Sequence, residues 1–370
     1  MEVQIERISK KYKQKKAISD VNLQLPDGSF TAILGPSGCG KTTLMRCLAG
    51  FLETDEGRIL FGEQDVTHLP PQKRGTAMVF QNYALWPHMT VFENIAYGLK
   101  LRKLPKQVIH DKVMDVLRKV EIDTEDVKRR HPPQYSGGQQ QRIALARALV
   151  LEPKLLLMDE PLSNLDAKVR QRLRVEIRRL QQELGITAVY VTHDQEEALS
   201  MADQVVLMNN GLVEQVGSPE QIYKAPASYF AAQFIGNSNT LLVEKQGAEY
   251  LVNRQQLHLD DVGRAASSRE NGTYGLVFRS EEAVIRFDGT DVQSITGGAS
   301  ARVIALQAEF KESLFVGSGY RHWVVVEGQN VFIESEQKYT QTGACTLLLP
   351  KSSCYLFSNQ EMKGAAVIHA

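Results

Sequence analysis

Gly35-Pro36-Ser37-Gly38-Cys39-Gly40-Lys41-Thr42 is the stretch on which the reading of this chain turns. Its spacing is G-x-x-x-x-G-K-[ST], and Thr43 follows. Apolar, strand-like residues from Phe30 to Leu34 precede it, and a helix-like run from Thr42 to Ala49 comes after. Glycines let the backbone curl so that its N–H groups point inward at an anion. The helix that starts there adds the positive end of its dipole. Lys41 can reach the outer phosphates of a nucleoside triphosphate, and Thr42 can hold Mg²⁺. Strand, glycine loop and helix together predict a nucleotide site.

Working outward, Leu155-Leu156-Leu157-Met158-Asp159-Glu160 is an apolar strand ending in two acids. Asp159 would stand beside the phosphate loop, where it can hold Mg²⁺ through water. Glu160 is then placed to orient and polarise an attacking water as a general base. A third element, Tyr135-Ser136-Gly137-Gly138-Gln139, opens a helix-like run to Val150. It is either a second anion-binding turn or a simple N-cap made by Ser136. One nucleotide does not need two such turns from one chain, so the first alternative would have this turn serve a nucleotide held by a second copy.

The chain has 370 residues, with 43 Lys+Arg against 43 Asp+Glu, so nothing in its charge commits it to nucleic acid. No apolar run approaches the ~20 residues that span a bilayer. The start, Met1-Glu2-Val3-Gln4-Ile5, alternates like a strand and lacks the pattern of a signal peptide. A cytoplasmic protein that does not cross the membrane is expected. Cys39, Cys47, Cys345 and Cys354 form no C-x-x-C pair, and the default is free buried thiols. Cys39 either reacts with thiol reagents at the cost of nucleotide binding or merely fills its place in the loop.

Residues 1–235 alternate strands and helices, the mark of an α/β domain. Strands are expected at Ser29–Leu34, Ala77–Phe80, Leu155–Met158, Ala188–Thr192 and Gln204–Met208. A helical insertion occupies about 88–150, and Arg170–Leu184 reads as a strongly amphipathic helix rich in Arg and Glu. After Gly236-Asn237-Ser238-Asn239 the texture changes to short alternating runs such as His322–Glu327 and Asn330–Glu334, with turns at Asp288-Gly289 and Glu327-Gly328. Residues 236–370 are therefore expected to form a small all-β barrel or sandwich.

Taken in order, these elements resemble the nucleotide-binding subunits of ATP-binding-cassette transporters, whose signature is the Ser136-Gly137-Gly138-Gln139 turn between the two phosphate elements. Tyr12 matches the family's adenine-stacking aromatic, and Gln81 the glutamine that senses Mg²⁺ and the attacking water. Ser163-Asn164-Leu165-Asp166 matches the loop that links two sites, and His193 the histidine that contacts the γ-phosphate. The resemblance implies an α/β P-loop ATPase with a helical insertion. Two copies would pair head to tail, with ATP sandwiched between Gly35–Thr43 of one and Ser136–Gln139 of the other. Asp166 would line that shared site. Glu160 would promote hydrolysis with His193 and Gln81, and Thr42, Gln81 and Asp159 would hold Mg²⁺.

The likeness continues through Gly217-Ser218-Pro219-Glu220, Ile222-Tyr223, Pro226 and Phe234-Ile235-Gly236 into a C-terminal β domain of the TOBE, OB-like kind. That domain occurs in importers of the maltose, polyamine and ferric-iron type, where Arg-Pro-Glu is common. Here Arg279-Ser280-Glu281 departs from it, so the domain either regulates through a ligand or partner or only stabilises the dimer. By the same resemblance, Leu85, Trp86, Pro87 and Met89 would lie exposed in a groove that receives a helix of a membrane permease. The expected protein is the ATPase subunit of a bacterial importer, on the cytoplasmic face of the inner membrane. It would serve two permease subunits and, indirectly, an extracytoplasmic solute-binding protein, with no nucleic acid. Sugars or sugar phosphates, polyamines, ferric iron and phosphonates are all open as solutes, with a lean to sugars or ferric iron. A soluble cassette ATPase acting on DNA or ribosomes, and an exporter subunit, are the rivals.

Overall fold

The computed structural model describes all residues except 14, 253–254, 258, 260–261, 264–269, 288–301 and 365–370. The expected turn at Asp288-Gly289 lies outside the described residues. Contacts divide the chain into two compact units, 1–219 and 220–370.

The first unit holds strands β1 (Val3–Tyr12), β2 (Lys15–Leu25), β3 (Phe30–Leu34), β4 (Glu56–Phe61), β5 (Gln64–Asp65), β6 (Thr76–Val79), β7 (Leu155–Asp159), β8 (Thr187–Thr192), β9 (Gln204–Asn209) and β10 (Leu212–Gly217). Its helices are α1 (Lys41–Ala49), α2 (Val91–Leu101), α3 (Lys106–Lys119), α4 (Gly137–Leu149), α5 (Ala167–Leu184) and α6 (Gln195–Met201). A sheet of order β10-β9-β3-β8-β7-β6 is parallel except for β10. Its central strands are apolar on both faces because both are covered. Phe30, Ala188 and Tyr190 face a core shared with α2 to α5, whereas Ile33, Val189 and Val191 face one shared with α1 and the second sheet. That second sheet, β2-β1-β4-β5, is antiparallel.

The five expected strands all form, each within about one residue of its expected ends, the usual uncertainty of element boundaries. The insertion is helical as expected, with α2 started by a capping box in which Thr90 and Glu93 bond reciprocally at 2.9 and 3.2 Å.

The second unit begins within α7 (Pro219–Lys224) and continues through α8 (Tyr229–Phe234); its described residues then form strands and one 3₁₀ turn (Lys351–Ser353) before a short helix, α9 (Asn359–Gly364). The strands are β11 (Ser238–Gln246), β12 (Glu249–Val252), β13 (Gln255–Leu257), β14 (Gly272–Arg279), β15 (Val284–Arg286), β16 (Val303–Phe315), β17 (Tyr320–Val326), β18 (Gln329–Ser335), β19 (Gly343–Pro350) and β20 (Cys354–Ser358). They form two five-stranded sheets, β13-β12-β11-β14-β20 and β15-β19-β16-β17-β18, which enclose one core containing Leu241, Leu276, Leu306 and Leu347. This is consistent with an OB-like domain. The Glu327-Gly328 turn joins β17 to β18 with both residues at positive φ, 48° and 79°, the twist a two-residue hairpin needs.

The strands begin near the change of texture at Gly236, but the packing boundary lies ahead of it because Arg279 of β14 is bonded to α7 and α8. Its guanidinium is 2 % exposed. It donates to the carbonyls of Ala232 at 2.8 Å and Tyr223 at 3.1 Å, to Ile235 O and to Ser238 Oγ, and it lies over the Tyr223 ring. Replacing it strands several buried carbonyls at once. Arg279→Met should lower the stability of this unit by about 3 kcal/mol or more, read by chemical denaturation.

Candidate functional site

The parallel register explains why residues far apart in sequence meet. Leu34 of β3 pairs with Thr192 of β8, and Asp159 of β7 pairs with Val191 of the same strand. The residues just beyond these pairs, Gly35, His193 and Glu160, therefore leave the sheet side by side at its C-terminal edge, where open α/β sheets bind their ligands.

Gly35 to Gly40 form the loop leading into α1, whose first turn carries Lys41, Thr42 and Thr43. A side chain at Gly35 would place its Cβ 2.2 Å from the Met208 carbonyl oxygen, and one at Gly40 would lie 2.6 Å from that of Ala17. Gly40, at φ 108°, is also the N-cap of α1. Helix α1 has neither a side-chain cap nor an acid in its first turn, so its leading N–H groups are left for an outside acceptor. Pro36 is half-buried, Ser37 and Gly38 are exposed, and Cys39 is buried. Burial pushes the Cys39 thiol up despite the nearby Lys41, which favours the unreactive alternative for this residue.

Lys41 is 5 % exposed, and its ammonium donates to the carbonyls of Gly35 at 2.7 Å and Pro36 at 2.9 Å. Among the described residues no carboxylate pairs with it. A buried cation held by two carbonyls and the Cys39 sulfur, beside uncapped helix N–H groups, fits a polyanion. Thr42 donates to Asp159 Oδ1 at 3.3 Å. Burial raises the Asp159 carboxyl above its ordinary value, partly offset by Thr42. This hydroxyl–carboxylate pair fits a hard cation that takes oxygen ligands. Among the described residues no group of three or more His, Cys, Asp or Glu could hold a metal ion.

Glu160 adopts φ 44°, an uncommon left-handed conformation for a non-glycine residue, and its N–H donates to Val191 O at 3.0 Å. The turn brings its Oε2 to 3.2 Å from His193 Nδ1. Gln81 Nε2 donates to Ser163 Oγ at 3.2 Å, and Asn164 Nδ2 donates back to Gln81 O at 3.0 Å. Ser163 Oγ also donates to Glu160 O at 3.0 Å. The expected residues Glu160, His193, Gln81 and the loop 163–166 are thus joined by one bonded path.

Other expected residues stand apart. Tyr12 ends β1 with its ring half exposed, open for stacking. Asp166 is the N-cap of α5, accepting from Val169 N at 3.0 Å. Ser136 caps α4 in a reciprocal box with Gln139 at 3.0 and 3.4 Å, the simple cap of the two alternatives, which leaves its N-terminus exposed. A Cβ at Gly137 would lie 3.1 Å from Leu165, and one at Gly138 2.9 Å from Val169. Both glycines thus have a packing reason that sequence spacing did not reveal.

Of the four loop residues expected to be exposed, Pro87 is; Leu85, Trp86 and Met89 are half-buried, a correction to their expected exposure. The cause is Asn94, fully buried in α2. It accepts from Trp86 N at 2.9 Å and donates to Trp86 O at 3.0 Å and Met89 O at 3.2 Å. Trp86 packs against Tyr97 and under the Arg147 guanidinium, which also donates to Tyr83 O at 2.8 Å and Ala84 O at 2.6 Å. Sequence reasoning missed Asn94 and Arg147; the only signal was helical spacing toward the loop.

Residues 18–163 match the family described as ABC transporter. The spermidine/putrescine import ATP-binding protein PotA of Marinobacter nauticus is 55 % identical over 235 residues, 64 % of this chain and 62 % of that protein. Its namesake from Clostridioides difficile is 47 % identical over 272 residues, 73 % of this chain and 77 % of the relative. In the first of these, and in the Vibrio cholerae relative, the match spans 62 % of the relative's length. Among solved structures, cbiO1 from Clostridium perfringens, part of the transporter complex cbiONQ, aligns with a TM-score of 0.55 and 31 % identity over 60 % of this chain and 89 % of that one. The ATP-binding cassette MJ0796, as a dimer in a post-hydrolysis state bound to ADP and Pi, aligns with a TM-score of 0.53 and 29 % identity over 59 % and 98 %.

Two outcomes check this site. Gly35→Ala should weaken nucleotide binding at least tenfold, measured by fluorescence titration, because its Cβ meets backbone rather than a movable side chain. Mg²⁺ dependence of nucleotide binding should fade as pH drops through the raised Asp159 value, starting above the ordinary carboxylate range, since only the ionised form holds the ion.

Proposed function

The chain belongs to the ABC transporter family, and we propose that it is the ATP-hydrolysing, energy-coupling subunit of a polyamine importer. The observation that carries the hydrolytic part is the pairing of Glu160 with His193 at 3.2 Å, next to the Thr42–Asp159 pair on the same sheet edge. The loop N–H groups and Lys41 bind the triphosphate, and Lys41 then exchanges loop carbonyls for phosphate oxygens. Thr42 and Asp159, with Gln81 beside them, would hold Mg²⁺, which would offset charge on the outer phosphates. Glu160 accepts the proton of the attacking water, and His193 holds Glu160 and the γ-phosphate in line. Gln81, tethered to Ser163, orients the water.

Polyamine replaces the earlier lean toward sugars or ferric iron because the similar proteins are named for spermidine/putrescine import. The same names favour import over export or work on DNA. The exposed turn Ser136–Gln139 and Asp166 would serve ATP on a second copy, a reading supported by the dimeric state of the MJ0796 neighbour. The β domain would steady that dimer or receive a regulator. Two permease subunits would dock at Pro87 and the half-buried Leu85, Trp86 and Met89, placing the chain on the cytoplasmic face of the inner membrane, with a solute-binding protein outside. No described helix is long and apolar enough to cross a membrane.

Glu160→Gln should lower steady ATP turnover by about 100-fold or more while ATP still binds, measured by phosphate release beside nucleotide titration. Turnover at the wild-type rate would remove the general-base role. Trp86→Ala should leave ATP binding intact and weaken co-purification with a permease from detergent-solubilised membranes.

A further inference from the structure

Helix α5 leaves the loop 163–166 and carries Arg170 and Arg174 on successive turns. Facing them is the segment after His193. Asp194 caps α6 through Glu197 N at 3.2 Å, and its own N–H donates to Thr192 Oγ1 at 2.9 Å. Glu197, 4 % exposed, accepts from Tyr190 Oη at 2.8 Å and Thr192 Oγ1 at 2.7 Å, which fastens α6 to the end of β8. Arg174 is the buried partner, 3.0 Å from both Asp194 and Glu196. Arg170 does something different. Its Nη2 donates to Leu165 O at 3.1 Å, inside the loop 163–166. Its Nη1 lies 3.4 Å from Asp194 Oδ2, and its Nε 3.9 Å from Glu197 Oε1.

One guanidinium therefore touches the loop that tethers Gln81 and the residue that follows His193. With the bonds already described, the path closes into a ring of Ser163, Leu165, Arg170, Asp194, His193, Glu160 and back to Ser163, with Gln81 joined to it at Ser163. We propose that Arg170 is a positioning residue for ATP hydrolysis, holding the His193 segment in register with the loop 163–166 so that Glu160, His193 and Gln81 are aligned together. The inference rests on the ATPase reading above. The planar fork holds a carbonyl on one loop and a carboxylate on the other in fixed directions, whereas the three donors of an ammonium radiate from one rotatable point and fix their spacing less well. Arg170 touches none of the expected phosphate-binding atoms, so its loss should move the chemical step and not nucleotide binding. Misalignment of a reacting group by about 1 Å costs on the order of 100-fold.

The test uses the full-length protein and four variants: Arg170→Met, Arg170→Lys, Asp194→Asn and the double Arg170→Met/Asp194→Asn. Expected for Arg170→Met is a kcat about 10- to 100-fold down, with KM for ATP and the melting midpoint near wild type. Arg170→Lys should recover only part of the rate, and the double variant should lose less than the product of the two single losses, since either change removes the Arg170–Asp194 link while Asp194→Asn also weakens the Arg174 pair. If Arg170→Met folds poorly, Arg170→Lys decides: a normal melt with reduced kcat supports the proposal. A wild-type kcat in either folded variant, or losses that multiply in the double variant, would overturn it. Wild-type protein without any ATP turnover would overturn the ATPase reading itself, a separate outcome.

Discussion

Everything at the site depends on the alignment of three buried parallel strands. β3, β8 and β7 are neighbours in register, so their C-terminal ends lie in one row. Each end releases one functional piece: the phosphate loop, the histidine segment and the Asp159-Glu160 pair. The strands are apolar on both faces, and moving one along its neighbour would break hydrogen bonds and the packing of both cores together. The chemistry inherits its geometry from that cost.

Two kinds of strain sit on this rigid edge. Glu160 holds a left-handed backbone, and so do Tyr83 and Ala84 in the loop beyond Gln81. Such residues persist only where their surroundings determine them. Glu160 is held by the ladder bond to Val191, and Tyr83 and Ala84 by the Arg147 guanidinium on their carbonyls. Burial lowers the Arg147 pKa, and the two carbonyls and the Trp86 ring are what compensate the desolvated charge. Arginines recur in this role: Arg147, Arg170 and Arg279 each bond several backbone carbonyls or segment ends through one planar group. The fork geometry suits joining segments that share no ladder.

Lys41 is the counterpoint. It has buried charge without a carboxylate, the arrangement that gains most from an incoming anion. The neighbouring Asp159 is desolvated, which raises its carboxyl above the ordinary value. The site is thus polarised in two directions at adjacent positions, which suits a metal–triphosphate pair better than either ion alone.

The sequence by itself determined the α/β class, the five core strands and the phosphate loop, and it pointed to Glu160 as an acid at a strand end, whereas His193 and Gln81 were expected only from the family resemblance. The signals it carried are local: apolar runs, glycine spacing, and acids at a strand end. It also separated the all-β second unit, because alternation and turn residues are local too. The tertiary structure alone decided that Leu85, Trp86 and Met89 are half-buried, since Asn94 of the next helix bonds the backbone of Trp86 and Met89, and Arg147 of α4, distant in sequence, covers the Trp86 ring. It decided that Gly137 and Gly138 make room for Leu165 and Val169, and that α7 and α8 pack with β14 through Arg279. It decided, finally, that the arginine face of α5 meets the acids behind His193. Long polar side chains carry no periodic signature of their partners, and which carbonyl a guanidinium finds is settled only when the cores bring the segments together.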